Sequence, residues 1–110
     1  MKKSILFLTA VLTFNVQLLT FKATAQYTKL FDFEGTNGSK PFGSLISDGT
    51  FLYGMTPLGG TGTACFGGCG VIFKIKSDGT GYTKLLDFTG TTNGNIPMGS
   101  LISDGTFLYG

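Results

Sequence analysis

Three residue types are missing from this chain: none of its 110 residues is His, Arg or Trp. Without His, the commonest general base and the commonest metal ligand are absent. Without Arg, no guanidinium group can hold a phosphate through two parallel hydrogen bonds. These absences exclude many hydrolytic, metal-dependent and phosphate-binding sites, and the sequence predicts no enzymatic activity, no metal and no cofactor.

Charged residues are also scarce, and part of the positive charge lies at the very start of the chain. Lys2-Lys3 precedes an apolar run, Ile5–Leu19, which Ala23-Thr24-Ala25 follows. A short basic start, an apolar core and small residues at the end are the parts of a secretory signal peptide. The alternative, a membrane anchor, needs roughly 20 apolar residues, and this run is shorter and interrupted by polar residues. We therefore predict that residues 1–25 are a signal peptide cleaved before Gln26.

Removal of this segment would change the charge balance of the chain. Three of the eight Lys lie in it, so five Lys would remain against six acids, a net charge of about −1. A chain without a basic patch is poorly suited to a nucleic-acid backbone. We expect a secreted or cell-surface protein with no nucleic-acid partner and no membrane span after residue 25.

Mass spectrometry of the exported protein should find its N-terminus at Gln26, with or without cyclisation of that residue. The physical reason is that the small side chain of Ala25 fits the cleavage site at the end of a signal peptide. An intact Met1 in the exported fraction would contradict this prediction.

An internal repeat organises the rest of the chain. The stretch GSLISDGTFLYG occurs at Gly43–Gly54 and again at Gly99–Gly110, with all twelve residues identical. Upstream, YTKLFDFEG from Tyr27 aligns with YTKLLDFTG from Tyr82, and one inserted residue explains the change of offset. The repeat is therefore about 55 residues long. The tandem β repeats of residues 26–110 divide into a partial unit 26–42, a complete unit 43–98 and a partial unit 99–110.

One full repeat contains four candidate strands separated by Gly-rich turns. In VIFKIK, for example, Val71, Phe73 and Ile75 share one face of a strand. No segment after residue 25 has a 3.6-residue apolar period, so no helix is predicted there. The candidate strands are Ser44–Ser47, Phe51–Met55, Val71–Lys76 and Tyr82–Phe88.

The tetrapeptide SDGT occurs three times, each time between apolar runs. Asp-Gly is typical of a tight hairpin in which both central residues take positive φ. These residues are therefore predicted to have a structural role in turns: Asp48, Gly49, Asp78, Gly79, Asp104 and Gly105.

Four antiparallel strands in each repeat are typical of a β-propeller blade, which buries its faces by stacking on the next blade. The predicted fold class is therefore all-β, with propeller-like four-stranded antiparallel blades in an incomplete array of about one and a half repeats. A two-layer meander or sandwich is the alternative. In the propeller-like array the chain begins on the last strand of one unit, around Tyr27, and ends on the second strand of another.

Residues 70–110 resemble the repeat of the GloVer family of secreted bacterial proteins. That repeat reads G-T-V-F-K-L, then D-G-T, and then a strand that ends in F. A G, a P and an L follow in turn, and the repeat closes with L-Y-G-T-T and a GG loop. It is matched here by Gly70–Ile75, Asp78–Thr80, Phe88, Gly90, Pro97, Leu101 and Leu108–Gly110. The resemblance implies export, a propeller-like fold and further repeats of the same polypeptide, so that this chain is the amino-terminal piece of a longer array. It implies neither an enzymatic activity nor binding residues.

Cys65 and Cys69 lie in TACFGGCG, between two candidate strands. In an exported protein, two Cys in a Gly-rich loop are predicted to form a local disulfide. The alternative is a redox or metal site, but two thiols supply only half of a zinc site and no His completes it.

Binding specificity is commonly determined by loops. Four of the residues that differ between the two copies flank one loop and are the candidate binding residues: Lys40 and Phe42 in the first copy, Ile96 and Met98 in the second. Asp32 and Glu34 share one face of a candidate strand, as a pair of glycosidase acids would. Only the Asp recurs in the second copy, as Asp87, so surface carboxylates are the better interpretation.

Two classes of function are compatible with these features. The first is a non-catalytic extracellular β-repeat module, the N-terminal fragment of a secreted or surface-anchored binding or structural protein with a glycan or protein ligand. The second is a fragment of a secreted propeller-type enzyme, a glycosidase or lyase, whose catalytic residues lie outside this chain. The missing His, Arg and Trp favour the first.

Overall fold

A computed structural model of the chain describes residues 25–110, so the predicted signal peptide, apart from Ala25, lies outside the described residues. The regular structure of the described part consists of strands in two antiparallel sheets, without a helix. The all-β prediction is confirmed. The strands are β1 (Ile46–Ser47), β2 (Phe51–Thr56), β3 (Val71–Lys76), β4 (Thr83–Asp87), β5 (Ile102–Ser103) and β6 (Leu108–Tyr109).

The first four strands form one sheet in the order β1-β2-β3-β4, and each strand pairs antiparallel with its neighbour in the chain. In the central pair, Gly54 lies opposite Phe73 and Leu52 lies opposite Ile75. A register shift between Ile72 and Phe73 interrupts the pairing of β3 with β4. The strands agree with the predicted candidates to within two residues at each end.

Strands β5 and β6 form a separate two-stranded sheet that repeats the geometry of the first hairpin. Ile102 lies opposite Tyr109 in this hairpin, as Ile46 lies opposite Tyr53 in β1–β2. The two identical twelve-residue sequences therefore fold into hairpins of the same register. Neither sheet closes on itself within residues 25–110.

The main core lies on one side of the four-stranded sheet, which we call the Phe73 face. Alternation along β3 places Val71, Phe73 and Ile75 on this face, where all three are buried. Half-buried Phe31 and Phe33 come from the segment before the sheet and pack against it. The ring of Phe33 meets that of Phe73 edge to face, with centroids 5.1 Å apart. The segment before β1 thus covers the Phe73 face.

One strand prediction is wrong, because the segment around Tyr27 forms no strand. The similar sequence in the second copy is strand β4, and it is extended because it pairs with β3. A strand needs a neighbour for its backbone hydrogen bonds, and the first copy has none within the described residues. It lies instead across the Phe73 face, where Phe31 stacks on Tyr82 with centroids 4.3 Å apart.

The opposite side of the sheet, the Met55 face, is covered by the second partial unit. Leu101, just before β5, is only 1% exposed. Leu101 and Leu108 line a cleft of about 420 Å³ together with Met55 and Leu86. The four-stranded sheet therefore lies between the segment before β1 on one face and the second hairpin on the other.

The SDGT turns differ from the prediction in their backbone geometry. Gly49, Gly79 and Gly105 have positive φ, but the Asp before each of them does not. At the first turn the central residues are Gly49 and Thr50, while the Oδ1 atom of Asp48 accepts hydrogen bonds from the N–H groups of Thr50 and Phe51. Asp48 therefore lies just before the two central residues of the turn, and its side chain accepts the hydrogen bonds of the turn's N–H groups.

The same tetrapeptide forms another kind of turn between β3 and β4. There the N–H of Gly79 donates to the carbonyl of Lys76, and the N–H of Lys76 donates to the carbonyl of Thr80. This is a three-residue hairpin loop in which Gly79 takes the left-handed bulge position. The strands that are joined, and not the tetrapeptide alone, decide the geometry of the turn.

Candidate functional site

The long connections of the chain meet at one end of the four-stranded sheet, which we call the loop end. The N–H of Ser39 donates to the carbonyl of Leu58 at 2.9 Å, and the N–H of Ile96 donates to the carbonyl of Cys69 at 2.8 Å. Backbone hydrogen bonds thus join three successive loops into one structure. These loops span residues 34–43, 57–70 and 88–100.

Close approach of the backbones explains why these loops are rich in Gly. A Cβ atom on Gly59 would lie 2.4 Å from the carbonyl oxygen of Gly35. A Cβ atom on Gly68 would lie 2.3 Å from the carbonyl oxygen of Gly59. Since real Cβ contacts are never so short, a side chain at either position would separate the loops.

The disulfide predicted between Cys65 and Cys69 is confirmed, with their Cα atoms 5.1 Å apart. Cys69 is completely buried at the loop end. Phe66, at the tip of the cross-linked loop, is completely exposed. The disulfide loop therefore exposes the apolar side chain of Phe66 to solvent. The sequence patterns did not predict this exposure, although the Phe-Gly-Gly between the two Cys could have indicated it.

Substituting Cys65→Ser should destabilise the chain by about 2 kcal/mol, because a short loop is no longer cross-linked in the unfolded state. Urea unfolding followed by circular dichroism measures the change. In the presence of a reductant, the variant and the wild type should unfold at the same urea concentration. A difference that persists after reduction would show that the cross-link is not its cause.

The candidate binding residues of both copies lie at the loop end. Phe42 and Met98 are exposed. Just beyond them the two copies touch, because the N–H of Ser44 donates to the Oγ of Ser100 at 2.8 Å. A Cβ atom on Gly43 would overlap the carbonyl oxygen of Gly99, its counterpart in the repeat. The structure therefore brings the two copies of this loop side by side.

Lys40 and Ile96 share an unusual backbone conformation at equivalent positions of the repeat. Their φ angles are 55° and 47°, the only positive values among non-Gly residues in the described part of the chain. Each residue precedes a Pro, Pro41 or Pro97. This conformation is rare for any side chain and most unfavourable for a β-branched one such as Ile. Strain of about 1–3 kcal/mol is typical of such positions.

Substituting Ile96→Gly should stabilise the chain by about 1 kcal/mol, because Gly adopts positive φ without steric strain. Lys40→Gly is the matched control and should give a smaller gain, since Lys is not β-branched. The midpoint of urea unfolding measures both changes. A loss of stability in Ile96→Gly alone would show that side-chain contacts of Ile96 outweigh the strain.

The two hairpins of identical sequence, β1–β2 and β5–β6, each carry an Asp–Tyr hydrogen bond at the turn end, opposite the loop end. The hydroxyl of Tyr53 donates to Asp48, and that of Tyr109 donates to Asp104, both at 2.7 Å. The N–H of Phe51 and the hydroxyl of Tyr53 lower the pKa of Asp48 to about 2. Both carboxylates are exposed and already bonded, so they act as acceptors that stabilise the turns.

Asp87 connects strand β4 to the loop after β2 through hydrogen bonds. Its carboxylate accepts hydrogen bonds from the N–H and hydroxyl of Thr61 and lies 2.5 Å from the Nζ of Lys84. Partial burial opposes its ionisation, but the hydrogen bonds from Lys84 and Thr61 outweigh burial and lower the pKa. Its counterpart Asp32 is exposed and pairs with Lys29. These contacts therefore do not support the interpretation of Asp32 and Glu34 as a pair of glycosidase acids.

Within residues 25–110, no group of three or more His, Cys, Asp or Glu is arranged to hold a metal ion. No helix in that range is long and apolar enough to cross a membrane. No protein-family model, curated protein or solved structure matches the chain.

Proposed function

We propose that the chain is a non-catalytic extracellular β-repeat module that binds a protein ligand through its loop end. The observation that carries this proposal is the exposure of three large apolar side chains on loops that are otherwise fixed. They are Phe42, Phe66 and Met98.

The fixed backbone of the loop end favours binding. Phe66 lies within a disulfide-closed loop, and hydrogen bonds between loops connect the segments that carry Phe42 and Met98. A preorganised loop loses little conformational entropy when it binds a ligand. Exposed apolar groups on such loops would gain free energy from burial without a large ordering cost.

The kind of side chain at the loop end favours a protein ligand over a glycan. Aromatic residues and Met are enriched in the cores of protein–protein interfaces. Among the three exposed residues, only Phe42 and Phe66 could stack on a sugar ring, and none supplies a hydrogen bond to its hydroxyl groups. Lys40 is the only charged residue among the four candidate binding residues.

The geometry also supports a propeller-like array, which is part of this proposal. Equivalent residues of the two copies, Ser44 and Ser100, are in hydrogen-bond contact just before β1 and β5. Repeats that stack on one another around an axis approach most closely at the strand nearest that axis. The complete sheet has a partial unit on each face, as a stacked blade requires.

The alternative, a fragment of a secreted enzyme, would need its catalytic residues outside this chain, because three carboxylates of the described part are already bonded. Asp48 and Asp104 are bonded within turns, and Asp87 is bonded to Lys84 and Thr61. A catalytic carboxylate is typically free to reach a substrate and has a pKa raised toward the working pH. The pKa values of these three carboxyl groups are lowered instead.

Peptides selected from a random display library against the exported chain test this proposal. Binding of a selected peptide should weaken by about tenfold or more in the variant Phe42→Ser/Phe66→Ser/Met98→Ser. The control is Ile102→Ser/Phe107→Ser, which removes two exposed apolar residues elsewhere and should leave the affinity unchanged. Biolayer interferometry measures both variants.

Three outcomes would overturn parts of the proposal. Equal losses in both variants would show that general surface hydrophobicity, and not the loop end, is responsible. Selective binding to a glycan array, with no peptide recovered, would replace the protein ligand by a glycan. Release of reducing sugar from that array would favour the enzyme alternative.

A further inference from the structure

The two hairpins of identical sequence face each other across a cleft at the turn end, which we call the hairpin cleft. It has a volume of about 380 Å³ and lies between Ile46 and Tyr53 of the first hairpin and Ser103 and Leu108 of the second. A smaller lobe of about 240 Å³ shares Tyr53, Ser103 and Leu108 with it. Since small-molecule sites have volumes of about 300–1,000 Å³, the hairpin cleft is large enough for one small ligand.

The hairpins contribute opposite sides of the same sequence to this cleft. Tyr53 borders it together with Asp48, to which it is bonded. In the second hairpin Leu108 borders the cleft, and successive side chains of a strand point to opposite sides. Tyr109 and its partner Asp104 therefore lie on the side that faces away from the cleft.

Asp48 supplies an acceptor that is charged and only partly used. An ionised carboxylate has about four positions for hydrogen-bond donors. The N–H groups of Phe51 and Thr50 occupy two positions on Oδ1, and the hydroxyl of Tyr53 occupies one on Oδ2. These bonds hold the pKa of Asp48 at about 2, so the carboxylate is ionised at neutral pH. One position on Oδ2 remains for a further donor.

Ser103 supplies a donor from the other hairpin. Its Oγ accepts the N–H of Gly105 at 3.0 Å, which leaves its own hydroxyl hydrogen able to donate. Ser103 and Asp48 line both the main cleft and the smaller lobe. Ile46 and Leu108 add apolar surface to the same space. The hairpin cleft therefore combines an acceptor, a donor and apolar contacts.

We propose that the hairpin cleft binds the ring of a neutral sugar. Neighbouring sugar hydroxyl groups each donate and accept, so one ring can donate to Asp48 while it accepts from Ser103. The C–H groups of the ring would contact Ile46 and Leu108. Among the described residues that line the cleft, Asp48 alone is charged, so none of them would neutralise a phosphate or a sugar acid. An ammonium ligand would pair with Asp48 but has no acceptor for Ser103.

This inference does not rest on the proposed protein ligand, because the hairpin cleft and the loop end lie at opposite ends of the sheet. The variant Phe42→Ser/Phe66→Ser/Met98→Ser should therefore bind the sugar like the wild type. Asp48→Asn should likewise leave the binding of a selected peptide unchanged. Failure of one proposal is thus distinguishable from failure of the other.

Backbone amide chemical shifts, measured by NMR while a sugar is added to the exported chain, provide the test. The probes are the methyl glycosides of glucose, galactose, mannose and N-acetylglucosamine, and choline is the cationic control. At least one glycoside should shift the amides of Asp48, Tyr53 and Ser103 in a saturable manner. The amides of the loop end should remain unshifted.

Asp48→Asn should weaken the binding of that glycoside by about tenfold or more, the contribution of one hydrogen bond to a charged group. Asp104→Asn is the matched control, because it makes the same change in an identical hairpin on the side away from the cleft, and it should leave the affinity unchanged. Asn retains a side-chain oxygen for the N–H groups of the turn. If circular dichroism shows that Asp48→Asn fails to fold, Ser103→Ala is the second variant and should also weaken binding.

Four results would overturn the proposal. Equal losses in Asp48→Asn and Asp104→Asn would show that the turns, and not the cleft, determine binding. An unchanged affinity in both Asp48→Asn and Ser103→Ala would exclude the two hydrogen bonds. Shifts at the cleft caused by choline alone would establish a cation site instead. Glycosides that cause no shift, or shifts at the loop end only, would show that the hairpin cleft binds no sugar.

Discussion

Substituting Leu101→Ala should destabilise the chain by about 2–5 kcal/mol, the range for removing a buried Leu side chain. Leu101 is 1% exposed and packs on the Met55 face. The substitution removes apolar contacts and leaves a cavity between the second hairpin and the sheet. Hydrogen exchange of the β5 and β6 amides, together with urea unfolding in dilute solution, measures the loss.

Leu45→Ala is the matched control for this substitution, because Leu45 occupies the same position in an identical twelve-residue sequence. It is 47% exposed, so about half of its side chain contributes little to stability. We expect a clearly smaller loss than for Leu101→Ala. Equal losses at the two positions would show that the second hairpin does not pack on the sheet as described.

Substituting Phe73→Ala should cost about 3–5 kcal/mol, since a buried aromatic side chain is lost from the centre of the core. The ring of Phe73 contacts Phe33 and Tyr82, which belong to separate segments. Its loss should therefore also release the segment before β1 from the Phe73 face. Urea unfolding measures the total loss, and limited proteolysis before residue 43 detects the released segment.

Phe66→Ala is the control for the core substitution, because Phe66 is completely exposed. Exposed substitutions away from special features usually change stability by less than about 0.5 kcal/mol. A large loss in Phe66→Ala would mean that the disulfide loop packs against the rest of the chain.

The four-stranded sheet was predictable because its sequence alternates with a period of two and its turns contain Gly. Val71, Phe73 and Ile75 are buried on one face, as the alternation in VIFKIK predicts. The disulfide was predictable for a similar reason, since both Cys and the flexible residues between them are local in sequence. Local patterns of this kind need no knowledge of distant contacts.

Features that depend on distant contacts were missed or wrong. The segment around Tyr27 has the same sequence pattern as β4, but it forms no strand because no neighbour pairs with it within the described residues. The positive φ of Ile96 contradicts the ordinary preference of a β-branched residue. It exists where the N–H of Ile96 bonds to the carbonyl of Cys69, a contact that no local rule predicts.

The candidate binding residues show the same difference between what local sequence comparison predicts and what only the folded structure reveals. The differences between the two copies identified Lys40, Phe42, Ile96 and Met98, and the structure places all four at the loop end. Phe66 was missed because it has no counterpart in the second copy to compare with. Its exposure became visible only when the position of the disulfide loop was known.

The order β1-β2-β3-β4 has a kinetic consequence. Each strand of the sheet pairs with the one that precedes it, and the longest connection is residues 57–70. The entropic cost of closing a loop grows only slowly with its length, and topologies with local pairings fold faster than those with distant ones. A chain synthesised from its amino terminus therefore builds this sheet one hairpin at a time, without waiting for the residues that follow.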